Sequence, residues 1–364
     1  MPHVDINVIP APIGPRPPKT AQNTLHNTNR PRIEIYTPVA MSAIKAPARL
    51  PELVKTAFNK ALADGDLLYF STKVQDIRVG TLSASTPKKV FDPFAYHPQP
   101  RLFVADVGAS HFLVLNKFAV VPEHFILATR EFKPQTHVLE ADDLAATLAC
   151  IHAYEQHGSE EAGSEAPSHA DGSGDGLFAF FNCGEHSGAS QPHRHIQLLP
   201  VARMRDGLQA DSPWEVLAAK LSTVAAPFTT FSAPINNQMS PKELHGIYIR
   251  LYKQAVSSVS QHNGSAAQQD APEAGETAIS YNMAMTRVTL TLCPRLAEGG
   301  ALTSRETGQA VGMLSLNGTM LAGTALVKTE AEWDTLRSEP QELVNVLRRV
   351  GVPQPAFSDG TNRL

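Results

Sequence analysis

The chain has 364 residues, of which 42% are hydrophobic, and a formal net charge of −4 at pH 7. It is long enough for one large or two ordinary domains with an apolar core. Its mild acidity argues against a general nucleic-acid-binding protein, which would be basic. Its three cysteines, Cys150, Cys183 and Cys293, include no closely spaced pair and indicate reduced thiols in an intracellular protein. No apolar run approaches about 18 residues, the length that a membrane-spanning helix needs.

The first 50 residues are rich in proline and contain only two acidic residues, Asp5 and Glu34. Proline-rich stretches do not form helices, so we expect an extended leader. A mitochondrial transit peptide is the alternative, because acids are scarce, but the stretch lacks an amphipathic arginine-rich helix. We therefore expect a protein of the cytoplasm, and of the nucleus as a second location.

One helix, three strands and a second helix are predicted between residues 51 and 154. Apolar residues at three-to-four spacing predict a helix over 51–64, which ends at Asp64-Gly65. Strands are predicted over 101–107, 111–118 and 125–129. A helix over 139–154 begins with acidic residues, which suit a helix N-terminus. Residues 156–176 lack periodicity and predict a disordered loop.

The second half of the chain repeats this mixture. A short helix is predicted over 213–221 and a longer one over 240–254, where Ser240 and Pro241 form a start signal. Residues 257–278 are of low complexity. Strands over 281–286 and 288–293 follow, and a helix over 330–350 closes the chain before Gly351 and Pro353.

Residues 177–200 carry the strongest functional signal. An apolar run over 177–181 leads through a turn with Gly184 and Gly188 into a short alternating segment. Side chains alternate between the two faces of a strand. His193, His195 and Gln197 therefore share one face, and Arg194 lies on the other.

Three nitrogen-bearing side chains on one face suit phosphoryl chemistry. A neutral imidazole is a competent nucleophile near pH 7 and can hold a transferred group covalently. A glutamine can hydrogen-bond a phosphoryl oxygen, and the backbone N–H groups of Gly188, Ala189 and Ser190, with the Ser190 and Gln191 side chains, could form an anion-binding nest. Two other interpretations are a metal site, for which no nearby Cys or carboxylate completes a tetrahedral set, and structural or surface histidines.

Residues 187–197 read Ser-Gly-Ala-Ser-Gln-Pro-His-Arg-His-Ile-Gln, preceded by Asn182-Cys183-Gly184. This stretch resembles the signature of the fungal diadenosine tetraphosphate phosphorylases, also called ATP adenylyltransferases. They belong to the branch of the histidine-triad superfamily whose third triad position is Gln. The resemblance implies that His195 is the nucleophile, that His193 and Gln197 assist it, and that Asn182 and residues 188–191 bind substrate.

Three other stretches extend the resemblance over residues 50–355. Asn116-Lys117-Phe118, followed by Pro122 and His124, is similar to a family element whose Asn-Lys pair reaches the nucleotide. A lysine at the place of Lys73 contacts phosphate in the family, and His124 is expected to be structural. Residues 315–328 resemble the family's C-terminal element, which implies these substrate-lining residues: Asn317, Gly318, Thr319, Thr324 and Lys328. Thr324 replaces a methionine, so base packing is expected to differ.

The resemblance implies an α+β, histidine-triad-like fold with a mostly antiparallel sheet and packed helices. Its domains would be a catalytic part over 51–235 and an adenylyltransferase part over 236–364. The implied reaction is phosphorolysis of diadenosine tetraphosphate to ATP and ADP through a nucleotidyl-histidine. A divalent cation, Mg²⁺ or Mn²⁺, would accompany the nucleotide without a protein site of its own. We expect a monomer that binds neither nucleic acid nor membranes.

Other functions stay open at this point. A sugar-1-phosphate nucleotidyltransferase of the same branch usually shows Pro between the two histidines, where this chain has Arg194. A hydrolase of the superfamily more often has His at the place of Gln197. A nucleotide-binding protein with a dead site is the alternative from another class, and the intact His195 and lysines argue against it.

Overall fold

The computed structural model describes residues 7–10, 44–69, 92–95, 100–161, 176–208, 212, 214–222, 224–265, 270–305 and 307–354. Its strands are β1 Asn7–Pro10, β2 Leu68–Tyr69, β3 Phe103–Val107, β4 His111–Leu115, β5 Phe118–Ala119, β6 Phe125–Thr129, β7 Leu177–Cys183, β8 His195–Pro200, β9 Phe231–Pro234, β10 Ser280–Met285, β11 Thr289–Arg295, β12 Gly299–Thr303, β13 Ala310–Ser315 and β14 Thr324–Val327. Its α-helices are α1 Leu50–Ala63, α2 Ala141–Glu161, α3 Val201–Met204, α4 Leu217–Lys220, α5 Pro241–His262, α6 Glu330–Ser338 and α7 Gln341–Val350.

One eight-stranded sheet forms the centre of the fold, in the order β3-β4-β6-β8-β7-β10-β11-β9. Every neighbouring pair in it is antiparallel. The α+β prediction with a mostly antiparallel sheet is therefore confirmed. The pairing of β7 with β10 joins the two predicted parts of the chain into one continuous sheet.

The two faces of this sheet have different cores. On one face, apolar side chains such as Ile196 and Leu198 of β8 pack with residues of α1, α2 and α5. On the other face, Phe178 and Phe180 of β7 pack with the C-terminal segments, α6 and α7 included. Burial of these side chains supplies the main favourable free energy of folding. The sheet thus holds β8 between two packed layers.

Helix α5 begins where the sequence predicts and ends later. The Ser240 side chain accepts a hydrogen bond from the Glu243 N–H, and Oε2 of Glu243 accepts one from the Ser240 N–H. Both halves of a capping box are therefore present. The helix continues to His262 because Val256 and Val259 extend its buried face. The prediction that this helix ends at residue 254 is therefore wrong.

Two other predicted helix bounds are corrected. The single helix expected over 330–350 is two helices, one ending at Ser338 and the other beginning at Gln341. Pro340 lies between them, and a proline disfavours the helical conformation of the residue before it. Helix α2 runs to Glu161, so the loop predicted from residue 156 begins inside a helix.

Short strands flank the region of Asn116. The strand predicted over 111–118 ends at Leu115, and Phe118–Ala119 instead pairs in parallel with Leu68–Tyr69. In the predicted leader, Asn7–Pro10 pairs in parallel with β14. Lys73 lies outside the described residues. None of the described helices is long and apolar enough to cross a lipid bilayer.

Candidate active site

Strand β8 presents His195 and Gln197 on the face that packs away from α1, α2 and α5. Their partners across the sheet are Ala128 for His195 and Ile126 for Gln197. His193 precedes the strand and forms an isolated bridge with Pro134. The sheet therefore places His195 and Gln197 on one face of β8, and His193 just before the strand.

The His195 ring is oriented by the backbone of His193. Its Nδ1 lies 2.8 Å from the His193 carbonyl oxygen, and because a carbonyl oxygen only accepts, Nδ1 carries the proton. Nε2 then holds a lone pair, and none of the described residues hydrogen-bonds to it. Burial lowers the pKa of His195 to about 4. The ring is thus neutral near pH 7, with a nucleophilic nitrogen available.

Both ring nitrogens of His193 are bound by the protein. Nδ1 lies 2.9 Å from Oδ2 of Asp92, and Nε2 lies 2.8 Å from the carbonyl oxygen of Thr129. The side chain is 1% exposed. His193 can therefore orient His195 through its backbone oxygen, whereas its ring contacts Asp92 and Thr129.

A phenylalanine lies against both histidines. The Phe94 ring centroid is 5.0 Å from that of His195, with 31° between the planes, and 5.9 Å from that of His193. Phe94 belongs to a turn over residues 92–95. The local sequence carries no signal for the contacts of this turn with residues about a hundred positions later.

Two residues of the connection between β4 and β6 hold the Gln197 side chain. Its Oε1 accepts from Nε2 of His124 at 2.6 Å and from Nδ2 of Asn116 at 3.3 Å. Burial lowers the pKa of His124 to about 4, so that ring is neutral near pH 7. With its oxygen engaged, Gln197 directs its amide N–H₂ away from these partners. His124 therefore contacts the predicted catalytic Gln197, a contact that sequence reasoning missed.

A glutamine that the sequence did not single out holds the backbone of His195. Gln135 Oε1 accepts from the His195 N–H at 2.8 Å, and its Nε2 donates to the carbonyl oxygens of Asn182 at 2.9 Å and His195 at 3.2 Å. The pairing of β7 with β8 ends at Phe180 and Gln197. Gln135 thus bridges the two strands beyond that point.

On the opposite face, Arg194 anchors the strand to helix α2. Its Nη1 donates to Oδ2 of Asp143 at 2.7 Å and to Oε1 of Glu140 at 3.1 Å. Oδ1 of Asp143 lies 2.9 Å from Nε2 of His111. These three side chains, Arg194, Asp143 and His111, are at most 3% exposed. A buried charge network of this kind is costly to break.

The turn before β8 offers free backbone donors. Ala189 and Ser190 are exposed and Gln191 is half-buried, and within the described part of the chain no group accepts from the N–H groups of residues 188–191. Gly188 has φ of +78°, and a Cβ there would lie 2.8 Å from Cβ of Asn317. The predicted anion nest therefore packs against the predicted C-terminal element.

Asn182 joins the two halves of the site. Its Oδ1 accepts from the Gly318 N–H at 2.9 Å and from Nδ2 of Asn282 at 2.9 Å. The Asn317 side chain in turn accepts from the Thr319 N–H at 2.9 Å. The Asn182 oxygen is thus occupied by protein donors, and Gly318 and Thr319 are buried. Substrate binding by these residues stays a prediction.

Arg295 lies beneath this junction. It is 2% exposed and therefore belongs to the interior of the protein. Its Nη2 is 3.0 Å from the carbonyl oxygens of Ala297, Glu298 and Leu316, and its Nη1 bonds to Oδ1 of Asn282. Burial lowers its pKa to about 10. The guanidinium therefore connects β10, β11 and the segment before Asn317.

The remaining predicted substrate residues have fewer hydrogen bonds to the rest of the predicted site. Lys117 is exposed directly after Asn116. Lys328 is half-buried, with Nζ 3.2 Å from Oγ of Ser315. Thr324 is 1% exposed, and its hydroxyl has no hydrogen-bond partner in the described structure. The roles of these side chains stay predictions. In the described ranges, no group of three or more His, Cys, Asp and Glu side chains could hold a metal ion.

Two family models together match most of the chain from residue 73 to residue 353. A model of the Ap4A phosphorylase N-terminal domain matches residues 73–170 and 168–220, and one of the ATP adenylyltransferase C-terminal domain matches residues 224–353. The chain is 26% identical over 285 residues to diadenosine 5',5'''-P1,P4-tetraphosphate phosphorylase 2 of Saccharomyces cerevisiae, covering 75% of this chain and 79% of that protein.

Solved structures agree with these matches. The crystal structure of yeast Ap4A phosphorylase Apa2 is similar with a TM-score of 0.56 and 26% identity, over 84% of this chain and 98% of that chain. The structure of the same yeast enzyme in complex with Ap4A is similar with a TM-score of 0.56 and 22% identity, over the same shares of 84% and 98%.

Proposed function

The chain belongs to the Ap4A phosphorylase family, and we propose that it cleaves diadenosine tetraphosphate (Ap4A) with inorganic phosphate to ATP and ADP. The observation that carries this proposal is the hydrogen bond of 2.8 Å between His195 Nδ1 and the His193 carbonyl oxygen. It leaves the Nε2 lone pair of a neutral imidazole free to attack phosphorus. The yeast relative that was crystallised with Ap4A supports this choice of substrate.

In the first half-reaction, Nε2 of His195 attacks the α-phosphorus of Ap4A. The N–P bond forms as the bond to the bridging oxygen breaks, and that oxygen leaves with its electron pair as part of ATP. The positive charge that develops on the ring is stabilised because Nδ1–H donates to the His193 carbonyl oxygen. Splitting one displacement into two steps lowers each barrier.

In the second half-reaction, an oxygen of inorganic phosphate attacks the same phosphorus. ADP forms, and the electron pair of the N–P bond returns to Nε2. No proton has to enter or leave the His195 ring in either direction, so the enzyme returns to its starting state. The reverse sequence makes Ap4A from ATP and ADP.

Neutral donors and lysines stabilise the phosphoryl oxygens. The free N–H groups of residues 188–191 and the amide of Gln197 are placed at the two ends of the His193–His195 segment. Preorganised donors are most effective where charge develops in the transition state. Lys73, Lys117 and Lys328 supply positive charge to the polyphosphate. Mg²⁺ or Mn²⁺ travels with the nucleotide, held by its phosphate oxygens.

Product analysis tests this function. Purified protein is incubated with Ap4A and Mg²⁺, with and without inorganic phosphate, and the nucleotides are separated. With Ap4A in large excess over the enzyme, we expect repeated turnover to ATP and ADP only when phosphate is present, and no products from His195→Ala. His262→Ala, at the exposed end of α5, is the matched control and keeps full activity. ATP and AMP without a phosphate requirement would show a hydrolase instead.

A further inference from the structure

A four-residue turn lies over the two histidines of the site. Residues 92–95 place Asp92 beside the His193 ring and Phe94 beside the His195 ring. Phe94 is 5% exposed, and the Asp92 side chain is 26% exposed. The turn is therefore packed onto the site, and it contacts both rings through different side chains.

Both carboxylate oxygens of Asp92 are engaged. Oδ2 accepts from Nδ1 of His193 at 2.9 Å, and Oδ1 accepts from the Phe94 N–H at 2.9 Å. The first bond fixes the ring whose own backbone oxygen orients His195. The second fixes the turn that packs Phe94 on the His195 ring. Asp92 is thus connected to His195 in two ways, through His193 and through Phe94.

The His193 ring has an acceptor on each side. Nε2 faces the carbonyl oxygen of Thr129 at 2.8 Å, which can only accept, so Nε2 carries a proton. Nδ1 faces a carboxylate oxygen, which also accepts. Without Asp92, Nδ1 of the ring would lose its acceptor, and the ring, held by Thr129 alone, could rotate.

We propose that Asp92 is a positioning residue for nucleotidyl transfer, acting on His195 through His193 and Phe94. The proposal rests on the proposed function. Asp92 keeps the His193 carbonyl oxygen in line with Nδ1–H of His195 and keeps Phe94 against the ring, so that the Nε2 lone pair points to the substrate. Misplacement of a reacting group by about 1 Å can cost about 100-fold in rate.

Three variants separate this role from folding. Asp92→Ala removes both bonds, Asp92→Asn keeps an oxygen that can accept from His193, and Asp92→Ser keeps an oxygen near the Phe94 N–H but is too short to reach His193. Asp334→Ala, an exposed aspartate on α6, is the matched control. The melting temperature of each variant is measured first, and Asp92→Ser replaces Asp92→Ala if the latter is unfolded.

The expected result is a separation of kcat from KM. Asp92→Ala lowers kcat about 10- to 100-fold and changes KM less than about twofold, because the carboxylate holds protein groups rather than substrate. Asp92→Asn recovers kcat to within about fivefold of the parent protein, and Asp334→Ala has the parent values. Unchanged kcat in a folded Asp92→Ala, or equal losses in Asp92→Asn and Asp92→Ala, would overturn the proposal.

A second readout needs no substrate. ¹⁵N chemical shifts of the labelled histidine rings report which nitrogen of His195 carries the proton. We expect the Nδ1–H form in the parent protein and in Asp92→Asn, and a mixture of both forms in Asp92→Ala. If the parent protein fails to cleave Ap4A, the proposed function is wrong. The ¹⁵N comparison still decides whether Asp92 orients His195, and an unchanged tautomer in Asp92→Ala would refute that.

Discussion

The side-chain oxygen of Asn182 accepts a hydrogen bond of 2.9 Å from the backbone N–H of Gly318, 136 residues later in the chain. Asn182 lies at the end of β7, and Gly318 begins the turn after β13. The same oxygen accepts from Nδ2 of Asn282. This contact joins the strand pair that carries His195 to the C-terminal element of the site.

Asn182→Ala tests this junction. The variant leaves the Gly318 N–H without its acceptor in a buried place, which costs about 1–3 kcal/mol in the free energy of unfolding. We expect KM for Ap4A to rise, because the segment after Asn317 is no longer held to β7. Urea unfolding and steady-state kinetics measure the two effects. Parent stability together with parent KM would contradict the assigned contact.

The low pKa values of His195 and His124 predict that the protein keeps its activity down to about pH 5. Both are about 4, below the usual value of about 6.5. Above pH about 4 both rings are neutral, and as pH falls through about 4 they gain a proton and His195 loses its nucleophilic lone pair. The rate of nucleotidyl transfer should therefore stay constant from pH 8 to about 5 and fall below that.

This pH profile is best measured on the first half-reaction alone. Enzyme in excess over Ap4A, without inorganic phosphate, releases ATP in a single turnover. Ap4A has no terminal phosphate group and inorganic phosphate is absent, so neither titrates in this assay. Circular dichroism at each pH controls for acid unfolding. A half-maximal rate near pH 6.5 would contradict the assignment of a buried, neutral His195.

Arg194→Met tests the buried network behind the active strand. The variant leaves Asp143 charged and 1% exposed without its guanidinium partner. Breaking a buried ion pair in this way costs about 3–5 kcal/mol in the free energy of unfolding. Arg101→Met, which removes the exposed end of the Arg101–Asp66 pair, is the matched control and should not change the melting temperature. Equal melting temperatures for both variants would contradict the network's role.

Gly188→Ala tests the close approach of the predicted anion nest to Asn317. The new Cβ would lie 2.8 Å from both Cβ of Asn317 and the carbonyl oxygen of Leu316, at a φ of +78°. We expect a loss of more than about 1 kcal/mol in stability together with a higher KM. In Gly246→Ala, on helix α5, nothing lies within 4 Å of the added Cβ, and stability should rise by about 1 kcal/mol. A stable Gly188→Ala with the parent KM would contradict the packing of the turn.

The sequence predicts the part of the site that lies in one stretch of chain. Alternation places His195 and Gln197 on one face of β8 and Arg194 on the other, because the period of a strand is two. Glycines mark the turn before it, and the resemblance adds Asn317 from the C-terminal half. These features depend on neighbouring residues, so they can be read from the chain directly.

The residues that hold the site could not be predicted in this way. Asp92, His124 and Gln135 reach His193, Gln197 and His195 across separations of 60 to 101 residues. Nothing in the local pattern around them distinguishes a turn aspartate or a loop glutamine from a solvated one. Their partners are decided by how the sheet and the turns pack, and that is visible only in the fold.

The central claim is a covalent bond between His195 and the transferred nucleotide, and trapping that bond tests it most directly. The protein, in excess, is mixed with Ap4A labelled at both α-phosphates, without inorganic phosphate, quenched in base, digested and analysed by mass spectrometry. The account predicts one nucleotidyl group on His195, lost in acid and converted to ADP when phosphate is added before the quench. Full phosphorolysis by His195→Ala, or a label on another residue, would contradict it.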